Sequence, residues 1–189
     1  MPDGQRLAYN LNILALLCML APLVGALAVQ ATGDLPCPLC LLERLGMFAV
    51  IIGLVMNLRL GLRPLHYGLS ISGALLGMAI ASRQVLLHIN DPVGGGYGGT
   101  VFGLHLYTWA LIVFVCFLAG AAVLLMIPGG LGREDESPGE GASWASSRPA
   151  RAATYAALGV CALNALLAFM ECGPGQCPDN PVGYWLFSG

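Results

Sequence analysis

Two cysteine pairs are the residues of this sequence best suited to chemistry. Cys37 and Cys40 are separated by two residues in PCPLC, at the start of a long apolar run, and Cys172 and Cys177 flank Gly-Pro-Gly-Gln near the other end of the chain. Cysteines so close in sequence can form a disulfide and reopen it by exchange with another thiol. The same four side chains could instead bind one metal ion or form two inert structural bridges.

The residues that follow Cys40 favour redox chemistry at the first pair. Unpaired backbone N–H groups and the helix dipole at the start of the predicted helix favour a thiolate at Cys40. Arg44 lies one helical turn deeper on the same face, where its charge further stabilises a thiolate. An arginine just inside a membrane indicates a functional site, although its side chain could also extend to the interface. Glu43 is explained by the helix dipole and by charge balance with Arg44.

The second pair has the features of a labile disulfide. The two glycines and the proline between Cys172 and Cys177 allow a short loop to bring the cysteines together. A ring this small gains little stability from loop entropy, which suits exchange better than structural stapling of the tail, the alternative.

A polar cluster at the end of the third apolar run is a second candidate site. Gln84 and His88 are four residues apart and share a helix face, and Arg83 is adjacent. Together they could bind the head group of a lipid-soluble acceptor; ordinary interfacial polarity is the alternative. Aromatic residues expected to anchor the chain at the membrane interface are Tyr107, Trp109, Tyr184, Trp185 and Phe187.

The elements that position these residues are membrane helices. The chain has 189 residues, is 57% hydrophobic and only 10% charged, and its mean hydropathy is +0.77. Runs of roughly twenty apolar residues predict transmembrane helices, so we expect an all-α membrane protein with a four-helix transmembrane bundle and a fifth C-terminal transmembrane helix. The five predicted spans are Leu7–Val29, Leu41–Leu58, Leu65–Leu87, Val101–Ile127 and Ala152–Met170.

The arginines predict the orientation of these spans. All eight basic residues are arginines, and they form no basic patch of the kind that binds nucleic acid. Six fall on one side of the predicted topology, which the positive-inside rule makes cytoplasmic: Arg6, Arg59, Arg63, Arg133, Arg148 and Arg151. The N-terminus is then cytoplasmic, and the C-terminus and both cysteine pairs are periplasmic if the host is a bacterium. A cleaved signal peptide ending near Ala26-Leu27-Ala28 is the alternative for the first span, which is long for that purpose.

Composition divides the chain into three parts. Residues 1–127 form the four-helix membrane domain, residues 128–151 a flexible cytoplasmic linker rich in Gly, Ser, Pro and charge, and residues 152–189 the fifth helix and its tail. The glycine-rich loop at residues 90–100 is expected to be mobile and to carry no chemistry of its own. The remaining cysteines lie within spans, where a lone thiol is most often a small buried hydrophobic group: Cys18, Cys116 and Cys161.

The sequence CPLC, followed by Glu43-Arg44 at the start of a second span, with Arg83-Gln84 late in the third, resembles the disulfide bond formation protein B (DsbB) family. The resemblance covers about residues 7 to 127. It implies an inner-membrane enzyme whose CxxC pair passes electrons to a quinone, ubiquinone or menaquinone, with Arg44 helping to hold the quinone and Arg83, Gln84 and His88 as further pocket residues.

The resemblance also implies that a second cysteine pair exchanges disulfides with a periplasmic thioredoxin-like dithiol oxidase (DsbA-like). In the family this pair lies between spans three and four, whereas here a fifth span would deliver Cys172 and Cys177. Rival interpretations are a vitamin K epoxide reductase-like enzyme, whose pairs would come in the opposite chain order, a metal-binding or transport protein using four thiolates, and a structural subunit with inert bridges.

Overall fold

A computed structural model describes residues 3–89, 100–131, 147–177, 181 and 183–187. Within them the chain forms five long helices: α1 (Asp3–Ala31), α2 (Pro38–Leu60), α3 (Pro64–His88), α4 (Leu106–Leu125) and α5 (Arg148–Cys172). All five are long and apolar enough to cross a membrane. The prediction of an all-α membrane protein with five spans is therefore confirmed.

Proline marks the start of three of these helices. Pro38, Pro64 and Pro149 occupy the first positions of α2, α3 and α5, where the missing N–H costs no hydrogen bond. Ser147 caps α5, and its side chain accepts a hydrogen bond from the backbone N–H of Ala150. Helix α5 thus begins four residues earlier than the predicted span, inside the segment assigned to the linker. Residues 132–146 of that linker lie outside the described residues.

Helix α4 begins later than predicted, at Leu106 instead of Val101. The chain before it forms a short hairpin of β1 (Thr100–Val101) and β2 (Leu104–His105). Its turn residues Phe102 and Gly103 both have positive φ angles, which a helix cannot contain. The predicted mobile loop at residues 90–100 lies outside the described residues except for Thr100.

The first four helices form a closed bundle. Each packs against its neighbours in chain order, and α4 returns to α1, while α5 lies outside this ring against α1 and the edge of α2. The closest crossing is between α2 and α3, where a Cβ atom on Gly46 would lie 2.8 Å from the Cα atom of Gly77. Small residues allow membrane helices to approach this closely because packing, more than water exclusion, drives their association.

Because neighbouring spans run in opposite directions, one end of the bundle collects the start of α2 and α4 and the last turns of α1, α3 and α5. We call it the cysteine end, since both cysteine pairs lie there. The opposite end carries five of the six arginines predicted to be cytoplasmic; Arg133 lies outside the described residues.

Candidate active site

The first cysteine pair sits on the opening turn of α2. Cys37 is the N-cap residue, and its sulfur accepts a hydrogen bond from the backbone N–H of Cys40 at 3.3 Å. The two thiol sulfur atoms are 2.7 Å apart, in hydrogen-bond contact and longer than the roughly 2.05 Å of a disulfide bond. Cys37 is buried and Cys40 is half-buried. The pair can therefore open and close with little movement of the backbone.

The structure assigns the readily ionised thiol to Cys37. Its pKa is lowered to about 7, first because the Cys40 thiol donates a hydrogen bond to it, against the opposing effect of burial. The backbone N–H of Cys40 and the amide of Gln84 lower the pKa further. The sequence had suggested Cys40 as the thiolate. The N-cap residue is instead Cys37, whose side chain faces the free N–H groups of the first turn.

Gln84 brings α3 into contact with this pair. It is fully buried, and its Nε2 atom lies 3.4 Å from the sulfur of Cys37 and 3.4 Å from that of Cys40. Of the polar cluster predicted on α3, Gln84 alone touches the cysteines. Arg83 is exposed, and His88 donates from Nδ1 to the carbonyl of Gln84 at 2.8 Å and stacks on Tyr107.

A cavity of about 400 Å³ opens beside the cysteines. Its walls come from α1, α2, α4 and the hairpin, and they are mostly apolar. The polar or reactive side chains in its lining include Cys37, Cys40, Glu43 and Arg44. Gln84, Arg83 and His88 do not line it, so the polar cluster of α3 and the cavity are separate features. The hairpin is held over α4 by a hydrogen bond from Trp109 Nε1 to the carbonyl of Val101 at 2.9 Å.

Glu43 lies in the wall of this cavity. It is only 4% exposed, and its Oε1 atom has no hydrogen-bond partner within the described part of the chain. The sequence explains this residue by the helix dipole and by charge balance with Arg44. Glu43 is thus a lining residue of the cavity with one carboxyl oxygen left without a hydrogen bond, a feature that the helix dipole does not account for.

Arg44 anchors a buried polar network that reaches α1 and α5. Its Nη1 atom donates to Oε1 of Gln30 at 2.9 Å and to Oδ1 of Asn164 at 3.1 Å. Gln30 in turn donates from Nε2 to Glu171 and to the hydroxyl of Tyr184, both at 3.4 Å. Sequence reasoning found Arg44 but missed Gln30, Asn164 and Glu171. The only available signal was a polar residue within or at the end of an apolar run.

The second cysteine pair closes a disulfide at the end of α5. Cys172 is bonded to Cys177, with their Cα atoms 4.5 Å apart. Gly173 ends the helix with a φ of 64°, and the indole of Trp185 occupies the space where a Cβ atom of this residue would lie. The tail is thereby folded back against α5. Glu171, in contact with Gln30, directly precedes Cys172, so the second pair lies at the same end of the bundle as the first.

The alternative of a four-thiolate metal site finds no support in the geometry. Across residues 3–89, 100–131 and 147–177, no three His, Cys, Asp or Glu side chains are grouped as metal ligands would be. Two of the four thiolates that such a site needs are joined to each other.

Residues 8–93 match the protein family described as Disulfide bond formation protein DsbB. Over these residues the chain is similar to the DsbB family. The match contains Cys37, Cys40, Arg44 and Gln84 and ends before α4, short of the predicted limit near residue 127. No curated protein and no solved structure matches the chain. This similarity supports an oxidoreductase of the membrane that acts in disulfide bond formation.

Proposed function

We propose that this chain is a membrane thiol:quinone oxidoreductase that supports disulfide bond formation. The observation that carries the proposal is the position of Cys37 and Cys40 in the wall of an apolar cavity that also contains Arg44. A dithiol at such a place can deliver electrons to a molecule dissolved in the lipid. Quinones are the membrane acceptors implied by the DsbB family.

The lining of the cavity suits a quinone, either ubiquinone or menaquinone. Apolar side chains suit the ring and tail, while the Arg44 guanidinium can donate hydrogen bonds to an oxygen atom. Glu43 offers a carboxyl oxygen that has no other hydrogen-bond partner among the described residues. When bound, a quinone would accept two electrons and two protons.

The two cysteine pairs would act in sequence. A thiolate of a reduced dithiol partner attacks the Cys172–Cys177 disulfide, and the partner's second thiol resolves the mixed disulfide. The partner leaves oxidised and the tail pair is left as two thiols. These thiols then exchange with a Cys37–Cys40 disulfide, which restores the tail disulfide. The Cys37–Cys40 dithiol returns to a disulfide by giving up two electrons and two protons.

The partner we propose is a periplasmic thioredoxin-like dithiol oxidase (DsbA-like). The arginine distribution supports an inner-membrane protein with its N-terminus in the cytoplasm and both cysteine pairs in the periplasm. A bacterial periplasm is oxidising, so disulfides persist there and can be exchanged. Arg83 and His88, which lie apart from the cavity, have no role in this scheme; Gln84 acts on the cysteine sulfur atoms.

The test is quinone reduction by the purified chain supplied with a reduced thioredoxin-like dithiol. We expect turnover by the wild type, and its loss in Cys40→Ser and in the double variant Cys172→Ser/Cys177→Ser. Turnover by the double variant at the wild-type rate would show that the tail disulfide is structural and that the route is wrong. Absence of turnover by the wild type, together with stoichiometric zinc, would favour the metal-binding alternative.

A further inference from the structure

Arg44 places a positive charge inside the helix bundle, and this charge needs hydrogen-bond acceptors there. The side chain is only 7% exposed, and a guanidinium stays protonated in proteins. A buried charge is costly unless hydrogen bonds and an opposite charge compensate it. Glu43 is the neighbour in sequence, yet its Oε1 atom has no hydrogen-bond partner within the described residues.

The acceptors for Arg44 come from α1 and α5. Asn164, in the C-terminal half of α5, is 1% exposed and accepts from Arg44 through Oδ1. Its Nδ2 atom donates to the carbonyl of Val160 at 2.9 Å, which fixes the amide so that the oxygen faces the guanidinium. The orientation of Asn164 is therefore set by its own helix.

Glu171 acts on the same arginine through Gln30. The Oε2 atom of Glu171 accepts from Gln30 Nε2, so the Gln30 oxygen is turned toward Arg44. The Glu171 carboxyl is also near enough to interact electrostatically with the guanidinium. It is 2% exposed, so little solvent screens this interaction.

We propose that Asn164 and Glu171 are positioning residues that hold the Arg44 guanidinium at the cavity wall, and that α5 is therefore a structural component of the redox site. Helix α5 lies wholly outside residues 8–93, the part of the chain that matches the DsbB family. The role of the cavity in quinone reduction rests on the proposed function; the positioning of Arg44 does not.

The first test uses no quinone. Full-length chain in detergent is treated with phenylglyoxal, which modifies arginine, and the modification rate of Arg44 is followed by peptide mass spectrometry. We expect the rate to rise about fivefold or more in Asn164→Leu and about threefold in Glu171→Leu, since each loses a buried hydrogen bond of the network. Asn164→Asp keeps an acceptor oxygen and should stay near the wild-type rate.

The matched control is Asn12→Leu. Asn12 is also fully buried and hydrogen-bonded, but it lies near the opposite end of the bundle and contacts Leu54 and Asn57. It should leave the modification rate of Arg44 unchanged even if the fold is less stable. An unchanged rate in Asn164→Leu, or an equal rise in Asn12→Leu, would overturn the proposal.

The second test uses ubiquinone-1 as acceptor and dithiothreitol as donor. We expect Asn164→Leu to raise the KM for ubiquinone-1 about tenfold, the scale of one hydrogen bond to a charged group, with a much smaller change in kcat. Asn164→Asp should retain the wild-type KM. If ubiquinone-1 is not reduced even by the wild type but Arg44 becomes reactive in Asn164→Leu, the proposed function fails and the positioning role stands. If the wild type and Asn164→Leu reduce ubiquinone-1 with the same KM, Asn164 does not position Arg44 for binding.

Discussion

The side-chain amide of Gln84 donates a hydrogen bond from α3 to the sulfur of Cys37, 3.4 Å away, at the start of α2. The contact joins two helices whose backbones approach closely because glycines line their crossing. It also supplies an N–H donor to a thiol that the helix N-terminus already favours in its ionised form. The ionisation of the first cysteine pair thus depends on packing between α2 and α3.

Replacement of Gln84 by Leu should raise the pKa of Cys37 above its value of about 7, because the thiolate loses a hydrogen bond. At pH 7 the thiolate fraction falls, and alkylation of Cys37 by iodoacetamide should slow by a few-fold. The rate is measured by mass spectrometry on reduced Cys172→Ser/Cys177→Ser protein. Arg83→Leu, an exposed change on the same helix, is the control; an equal slowing there would contradict a specific effect of Gln84.

The alkylation rate of Cys37 should depend on pH with a midpoint near 7 in the folded protein. A lowered pKa means that the reactive thiolate is present above the midpoint and is lost as the pH falls through it. Below the midpoint, the rate should fall about tenfold per pH unit, and above about pH 8 it should reach a plateau. In denaturant the midpoint should move to about 9, the ordinary value for a thiol. A folded-state midpoint near 9 would contradict the hydrogen-bonded arrangement of the pair.

Gly46→Ala should destabilise the bundle. The added methyl group would lie 2.8 Å from the Cα atom of Gly77, a backbone atom that cannot rotate away. Overpacking of this kind costs about 1–3 kcal/mol, and a lower thermal midpoint in detergent should report it. Gly68→Ala is the matched control, because apart from its own helix backbone nothing lies within 4 Å of the Cβ position there. Equal thermal midpoints for the two variants would show that α2 and α3 can move apart enough to fit the added methyl group without loss of stability.

Asn57→Leu should lower stability without changing the chemistry of the cysteines. Asn57 donates to Oδ1 of Asn12 and accepts from the backbone N–H of Arg63, and it is fully buried. Each polar group left unsatisfied costs about 1–3 kcal/mol. Thermal unfolding in detergent should show the loss, while the alkylation rate of Cys37 at the cysteine end stays at the wild-type value. A changed alkylation rate would mean that the two ends of the bundle are coupled.

The five spans could be predicted because the need for some twenty apolar residues per crossing leaves a direct record in the sequence. The residues at which the helices begin are less evident from the sequence. The prolines at positions 38, 64 and 149 mark helix N-termini, yet Val101 was assigned to a helix because Phe102 and Gly103 look like ordinary apolar residues of a span. In the structure these two residues form the turn of the hairpin, and their positive φ angles are incompatible with a helix.

The cysteines and Arg44 could be predicted as candidate site residues because their residue types and spacing suit redox chemistry. The partners of Arg44 could not, since Asn164 is 120 positions away and meets it only through the rotation and pairing of α5. Membrane helices are apolar on nearly all sides, so periodicity does not reveal which face meets which neighbour. The same limit explains why the contact of Gln84 with the two cysteine sulfur atoms could not be predicted; its role in a head-group pocket stays a prediction.

The antiparallel arrangement of the spans has a consequence for how such proteins can diversify. The last turn of every odd-numbered helix and the first turn of every even-numbered helix share one membrane surface, whatever the total number of spans. Two reactive segments separated by an even number of transmembrane helices therefore lie on the same side of the membrane. The disulfide after the fifth helix obeys this parity rule, because it lies at the same end of the bundle as the cysteine pair before the second helix.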